Sequence, residues 1–405
     1  MMIFWAAITC AGSALASDIK IGMSAPFSGP SRVLGIELYR GAWAYFKSVN
    51  QLGGVHGRQI RLIAYDDAYD PAKAVQNTIK LINEDEVILL FSFVGTPTVT
   101  RVLPLLKQYK DENIFLFFPF TGAEPQRQPP YSEFVFNLRA SYFDETRGLV
   151  EQFVDVGRTR IALFYQADAY GRNGWEGARR ALREQGLDIA GEATYARGGT
   201  FEQSYSEQVR LLQAASPDAI ISVCSYAACA GFVRDIRATG WDIPIANLSF
   251  VASEAMAELL EPLFDVENEA GLGNLIQAQV APSYLDTSLP AVAEYRQLMD
   301  QLESDLPDGL VSEEYETLDY SFVSLEGFLN AKLLVRILEE LGPELEQSAL
   351  NSAVEAMGSV DLGTGHPVSL GEESHQSSDH VYYTVLENGQ FVPFDDWQRL
   401  AKPSQ

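Results

Sequence analysis

Residues 87–119 read VILLFSFVGTPTVTRVLPLLKQYKDENIFLFFP. Two runs in this stretch, Val87–Phe91 and Ile114–Phe118, are unbroken apolar. Strands covered on both faces by helices lose the usual alternation and read this way, so the pattern points to a parallel sheet. The spacing predicts strands over Val87–Ser92 and Ile114–Pro119 with a helix over Thr98–Lys110 between them. Pro97 at the first helical position sacrifices no hydrogen bond. Strand, helix and strand in succession make a right-handed crossover unit.

The same alternation extends in both directions. Toward the amino end come a strand over Asp18–Met23, a helix over Val33–Leu52, a strand over Gln59–Tyr65 and a helix over Pro71–Asn83. After Tyr142–Gly157 the rhythm restarts, with strands over Arg160–Tyr165, Asp188–Tyr195, Ala219–Cys224 and Ile243–Asn247. Helices over Gly171–Gln185, Phe201–Ala215 and Ala227–Thr239 separate them. A strand over Asn274–Val280 is followed by helices over Ala291–Leu302, Glu313–Leu341 and Leu345–Met357. The tail holds strands over Val381–Leu386 and Gln390–Pro393, joined by the hairpin turn Asn388-Gly389. Two series of crossover units imply an α/β fold of two doubly wound, Rossmann-like lobes joined by a multi-strand hinge. The expected limits are 17–138 plus 281–355 for lobe one and 139–280 plus 356–405 for lobe two.

Composition narrows the function. The 405 residues are 47% hydrophobic and carry 29 Lys and Arg against 55 Asp and Glu, a formal charge of -26. Such a surface repels phosphate backbones and anionic lipid, so nucleic acid is not expected as a partner. The uncharged stretch Ile3–Ala16 ends in Ala14-Leu15-Ala16, a small-x-small cleavage pattern, and residues 1–16 are read as a signal peptide for export to the periplasm. No Lys or Arg precedes the stretch, a departure from the usual basic n-region. At fewer than the roughly 20 apolar residues a bilayer requires, it does not span one, and no direct membrane insertion is expected. Cys224 and Cys229 remain after cleavage. In an oxidising compartment they form either a disulfide or two small buried residues at a strand-to-helix turn.

In open α/β sheets ligands bind beyond the carboxyl ends of the strands, where helix N-termini present free N–H groups. In lobe one those ends carry Ala25-Pro26-Phe27-Ser28-Gly29-Pro30, Val94-Gly95-Thr96-Pro97 and Pro119-Phe120-Thr121-Gly122-Ala123. Each joins a glycine, which lets backbone amides approach an anion, to a hydroxyl that donates to a carboxylate. The corresponding places in lobe two carry Tyr165 to Tyr170, Ser225-Tyr226 and Ser249-Phe250, side chains suited to a pocket wall. Asp66, Asp67 and Asp70 lack the Gly and Glu of a calcium loop and are read as turn and cap residues. No dinucleotide-binding, phosphate-loop or nucleophile-elbow motif is present, so neither an enzyme nor a cofactor or metal site is expected. The histidines His366, His375 and His380 match no metal-ligand spacing and are read as surface-loop residues.

Several stretches together resemble the branched-chain amino acid binding proteins, type I periplasmic solute-binding proteins of ABC transporters. They are IKIGMSAPFSG, LGGVHGRQIRLIAYDDAYDP, GTPT with PFTGAEP, IALFYQADAYGRNGWEGARRAL and FVRDIRATGWDIPIANLSFV, and the likeness covers nearly the whole mature chain. The resemblance implies that Gly95, Thr96, Thr121 and Ala123 hold a ligand carboxylate, and that Tyr170 and Tyr226 close over it. Ser28, Gly122, Ser225, Ser249 and Phe250 complete the expected lining. Amino-acid binders of the family carry an acid after the strand matched by Ile243–Asn247, whereas this chain reads Leu248-Ser249-Phe250-Val251. A buried ammonium without a partner is costly, and this favours an organic acid lacking an amine. The expectation is therefore a monomeric binding protein that closes on a small carboxylate and delivers it to an ABC permease. A sensor presenting its bound state to a membrane signalling protein is the alternative.

Overall fold

The structure, a computed structural model, describes residues 17–263, 272–302, 306–307, 309–311, 315–371 and 375–402; the expected signal peptide lies outside them. Chain order runs β1 (Ile19–Ala25), α1 (Arg32–Gln51), β2 (Ile60–Asp66), α2 (Pro71–Asn83), β3 (Leu89–Phe91), α3 (Thr96–Gln108), β4 (Leu116–Phe117) and β5 (Val135–Phe136). These strands form one parallel sheet in the order β2-β1-β3-β4-β5, with Ile21 opposite Leu62 on one side and Leu89 on the other. The ladders of β3 and β4 are shorter than their apolar runs. Ser92 and Phe118 take positive φ, 49° and 53°, and turn the backbone out of the ladder immediately after Phe91 and Phe117.

The second series contains α4 (Tyr142–Asp155), β6 (Ile161–Gln166), α5 (Ala169–Glu184), β7 (Gly191–Tyr195), α6 (Ser206–Ala215), β8 (Ala219–Val223), α7 (Tyr226–Ala238), β9 (Ile245–Asn247), α8 (Ser253–Leu260) and β10 (Leu275–Gln279). Then come α9 (Pro290–Asp300), α10 (Phe322–Leu341), α11 (Leu350–Ala356), β11 (Gly358–Val360), β12 (Val368–Leu370), β13 (Tyr382–Glu387) and β14 (Gln390–Pro393). Seven strands make the second sheet in the order β14-β13-β10-β9-β8-β6-β7, parallel except where β13 pairs antiparallel with β10 and β14. Helix α8 and the small β11–β12 ladder were not expected from the sequence.

Helix α10 returns to the first sheet although it follows the second. Asn330 donates through Nδ2 to Ser92 Oγ at 3.1 Å and to the Phe118 carbonyl at 3.4 Å. Gly41 of α1 faces α10 so closely that a Cβ there would lie 1.7 Å from the Ser324 carbonyl oxygen. The sequence pattern places the start of this helix at Glu313, but it begins at Phe322, with Ser321 Oγ accepting from Ser324 N at 3.0 Å. The described residues just before it serve a different partner. Tyr315 Oη and Leu318 N donate to buried Glu37 Oε1 at 3.0 and 3.2 Å, so Leu318 N does not enter a helical ladder.

Three segments connect the two sheets, after β5, after β10 and before β13. The first and third are tied by Asn137 N to the His375 carbonyl at 2.7 Å and Ser377 N to the Asn137 carbonyl at 2.8 Å. His375 and His380 are half-buried in the segment that enters the second sheet, whereas His366 is exposed in a loop, as the sequence suggested. The His375 ring lies 4.2 Å from that of Phe136, and His366 stacks on His380 at 4.1 Å. Their polar sequence surroundings concealed the packing, because the partners are distant in the chain. Among the described residues no helix is long and apolar enough to cross a membrane.

Candidate ligand-binding cleft

The loops after β3 and β4 bring two hydroxyls together. Gly95 precedes α3 with φ 101°, and a Cβ on it would lie 2.2 Å from the Tyr69 ring. Thr96, the next residue, shares a 2.7 Å hydrogen bond with Thr121 across Oγ1 atoms. Ala123 N donates to Thr121 Oγ1 at 3.3 Å, and Gln126 Nε2 donates to the Thr121 carbonyl at 3.1 Å. Gly122 permits Tyr142 to lie against this loop: its carbonyl accepts from Tyr142 N at 2.7 Å, and a Cβ would meet the Tyr142 ring at 2.6 Å. Gly95, Thr96, Thr121, Gly122 and Ala123 thus form one buried patch.

Ser28 has another assignment. Its hydroxyl donates to Asp66 Oδ2 at 2.6 Å, while Phe27 N and Ala68 N donate to Asp66 Oδ1. Asp70 caps α2 and Asp67 accepts from Ser24 and Tyr69 N, so all three aspartates serve turns and caps. Among the described residues no three His, Cys, Asp or Glu are grouped to hold a metal ion.

From the second sheet, Tyr170 stands in the first turn of α5, fully buried, with Oη donating to the Cys224 carbonyl at 3.4 Å. Ser225 precedes α7, its N–H donating to Tyr195 Oη at 2.9 Å, and Tyr226 is buried at the helix's first residue. Cys224 and Cys229 are disulfide-bonded across this turn with Cα atoms 5.6 Å apart. Of the two readings left open by the sequence, the structure has the bridge.

The two sides meet around Phe250. Its ring centroid lies 4.7 Å from Tyr170, 5.6 Å from Phe120 and 6.0 Å from Tyr69, and Tyr142 lies 5.2 Å from Tyr170. Beneath Phe120, the Arg139 guanidinium sits 4.5 Å from the ring centroid. It donates to Ser249 Oγ; Ser249 N and Oγ in turn donate to the two Glu145 oxygens at 2.7 and 2.8 Å. Glu326 of α10 approaches Arg139 Nε at 3.6 Å. Burial raises the pKa of Glu145, and pushes that of Glu326 up to about 7 against the lowering influence of Arg139.

Tyr69, Arg139, Tyr142, Glu145 and Glu326 escaped the sequence reading. Helix α4 starts on a capping box, Ser141 with Asp144, but nothing local marks the arginine two residues before it as buried. The acid missing after β9 has a counterpart: Glu145 arrives at Ser249 from α4, already saturated by it.

Two Rossmann-like lobes on a hinge, meeting at a buried interlobe cluster, define the type I periplasmic binding protein fold. The chain belongs to the periplasmic binding protein family, whose model matches residues 18–390, and it is a binding protein, not an enzyme. It is similar to an amino acid binding protein of Pseudomonas aeruginosa, 24% identical over 55% of this chain and 58% of that protein. A Leu/Ile/Val-binding protein of Citrobacter freundii is 25% identical over 67% of this chain and 70% of its own length. A solved structure described as a possible leucine/isoleucine/valine-binding protein from Rhodopirellula baltica superposes with a TM-score of 0.83 at 30% identity, covering 97% of this chain and all of that one.

Proposed function

We propose that the protein is an exported solute-binding component that captures a small carboxylate between its lobes by hinge closure and delivers it to an ABC permease as a monomer. The observation that carries this reading is the meeting of both lobes at one buried cluster. The Thr96–Thr121 pair and Ala123 N approach from the first sheet; Tyr170, Ser249 and Phe250 approach from the second. Lobe limits of 17–138 plus 281–355 and 139–280 plus 356–405 are part of the proposal, and so are periplasmic location and cleavage after Ala16.

Closure is favoured because only the closed form makes both sets of contacts, so a ligand that bridges them shifts the population toward it. Ala123 contributes a backbone amide beside the two threonine hydroxyls, Gly95 N being used by the Phe120 carbonyl, and donors of this kind hold a carboxylate without a charged partner. Relatives named for leucine, isoleucine and valine bind amino acids; a carboxylate is the part of such ligands that this loop patch suits.

A thermal-shift screen of the mature chain against amino acids and aliphatic and aromatic carboxylates tests the reading. At about 100 times the dissociation constant a ligand adds about 2.7 kcal/mol, a shift of several degrees. Thr121→Ala and Tyr170→Ala are each expected to weaken binding of any hit with the fold retained. Unchanged affinity in both variants would remove the interlobe cluster as the site.

A further inference from the structure

The interlobe cluster contains donors that its own acceptors leave unmatched. Arg139 is 2% exposed, yet its Nε and Nη1 have no hydrogen-bond partner. Its carboxylate neighbours stand at 4.0 Å (Glu145) and 3.6 Å (Glu326), close enough for attraction and too far for hydrogen bonds. The hydroxyls of Tyr69 and Tyr142, on rings of the same cluster, are buried without a well-formed hydrogen bond, Tyr69 beside Gln166 and Tyr142 beside the Thr96–Thr121 pair. Proteins seldom leave buried polar atoms unpaired, and where several collect at one place a missing partner is the economical explanation.

All these atoms donate. The nearest acceptors do not reach them: both Glu145 oxygens take Ser249, and Glu326 stands 3.6 Å from Arg139 without bonding it. The cluster therefore calls for a molecule that brings acceptors to Arg139, and Glu145, the acid nearest the loop after β9, is already engaged by Ser249. Phe250, carried by the loop after β9, lies between Tyr69, Phe120 and Tyr170.

We propose that Arg139, with the hydroxyls of Tyr69 and Tyr142, reads the acidic group of the ligand, and that the cleft takes amine-free carboxylic acids in preference to the matching α-amino acids. This rests on the interlobe reading above and adds to it the ligand class and the selecting residue. When the lobes part, Phe250 withdraws with the second lobe, and on closure it returns over the bound acid. The acid turns its carboxylate toward Arg139 and lays its apolar body against Phe120. The Thr96–Thr121 pair contributes neutral donors, and Arg139 contributes the positive charge that the pair lacks.

The test is calorimetric titration of the full mature chain with two matched pairs: 4-methylpentanoate against L-leucine, and 3-phenylpropanoate against L-phenylalanine. Within each pair the molecules differ only by the amine. At least one acid is expected to bind roughly tenfold or more tightly than its amino-acid counterpart. Arg139→Lys keeps the charge beside Glu145 and Glu326 but loses the planar donor set, and is expected to weaken that acid by about tenfold or more with an unchanged melting temperature. If Arg139→Lys fails to fold, the paired variant Arg139→Gln with Glu326→Gln removes the charge and one counter-charge together and is expected to give the same loss. Tighter binding of the amino acids, or no binding by either acid, overturns the ligand class. Full affinity in the arginine variants overturns the anchor, and Thr121→Ala then separates the two claims: if it still abolishes binding, the interlobe site stands without Arg139.

Discussion

Glu326 shows at the level of one side chain why this cleft could not be read from spacing alone. It belongs to α10, far along the chain from Arg139, and only packing makes the two neighbours. Its pKa, pushed up to about 7 by burial, lies above the unfolded value of 4.5. Between those limits the folded chain holds a proton that the unfolded chain has released, so this group's contribution to stability falls as pH rises from 4.5 toward 7. The full effect is at most about 3 kcal/mol. Urea unfolding at several pH values is expected to show wild-type stability declining across that window relative to Glu326→Gln; parallel curves would mean that the carboxylate titrates normally. Thr96 and Thr121, by contrast, were legible, because a hydroxyl beside Gly at the end of an apolar run is a local pattern. Tyr69 and Arg139 carry no local mark of their position.

Among the elements, the α1–α10 contact and the α7 turn carry the sharpest expectations. A methyl group on Gly41 would have to displace the Ser324 backbone carbonyl, not a flexible side chain. Gly41→Ala is therefore expected to destabilise the fold by about 2 kcal/mol or more, measured by urea unfolding, despite the better helix propensity of alanine. An unchanged midpoint would show that the helices can separate freely. The Cys224–Cys229 bridge closes a short loop at the start of α7. Its removal in the double serine variant is expected to cost about 2 kcal/mol by loop-closure entropy. Equal stability of the oxidised wild type and the double variant would refute this. Element types were legible along most of the chain because apolar periodicity reports burial. Boundaries were not, wherever a distant partner intervened: Glu37 accepts from Tyr315 and Leu318 ahead of α10, and positive φ at Ser92 and Phe118 ends two ladders inside apolar runs.

Over the whole molecule, the first sheet depends on chain that follows the second. Asn330 of α10 bonds to Ser92 and Phe118 beside β3 and β4, and α10 covers α1. A fragment of residues 17–280 leaves that face bare, and is expected to bind a hydrophobic dye and to lose cooperative thermal unfolding by circular dichroism. A single sharp transition in the fragment would show that the first sheet folds without α10. The sequence by itself determined the α/β class, the repetition of crossover units and the strand-end loops where a ligand belongs. These follow from periodicity, turn chemistry and apolar continuity, which act over a few residues. Tertiary structure alone decided that Arg139, Glu145, Ser249 and Glu326 share one buried cluster, that Phe250 lies among the rings of both lobes, and that His375 packs on Phe136 in the hinge. Each of these is a contact between segments far apart in the chain, and side-chain burial there depends on which surfaces the connections bring face to face.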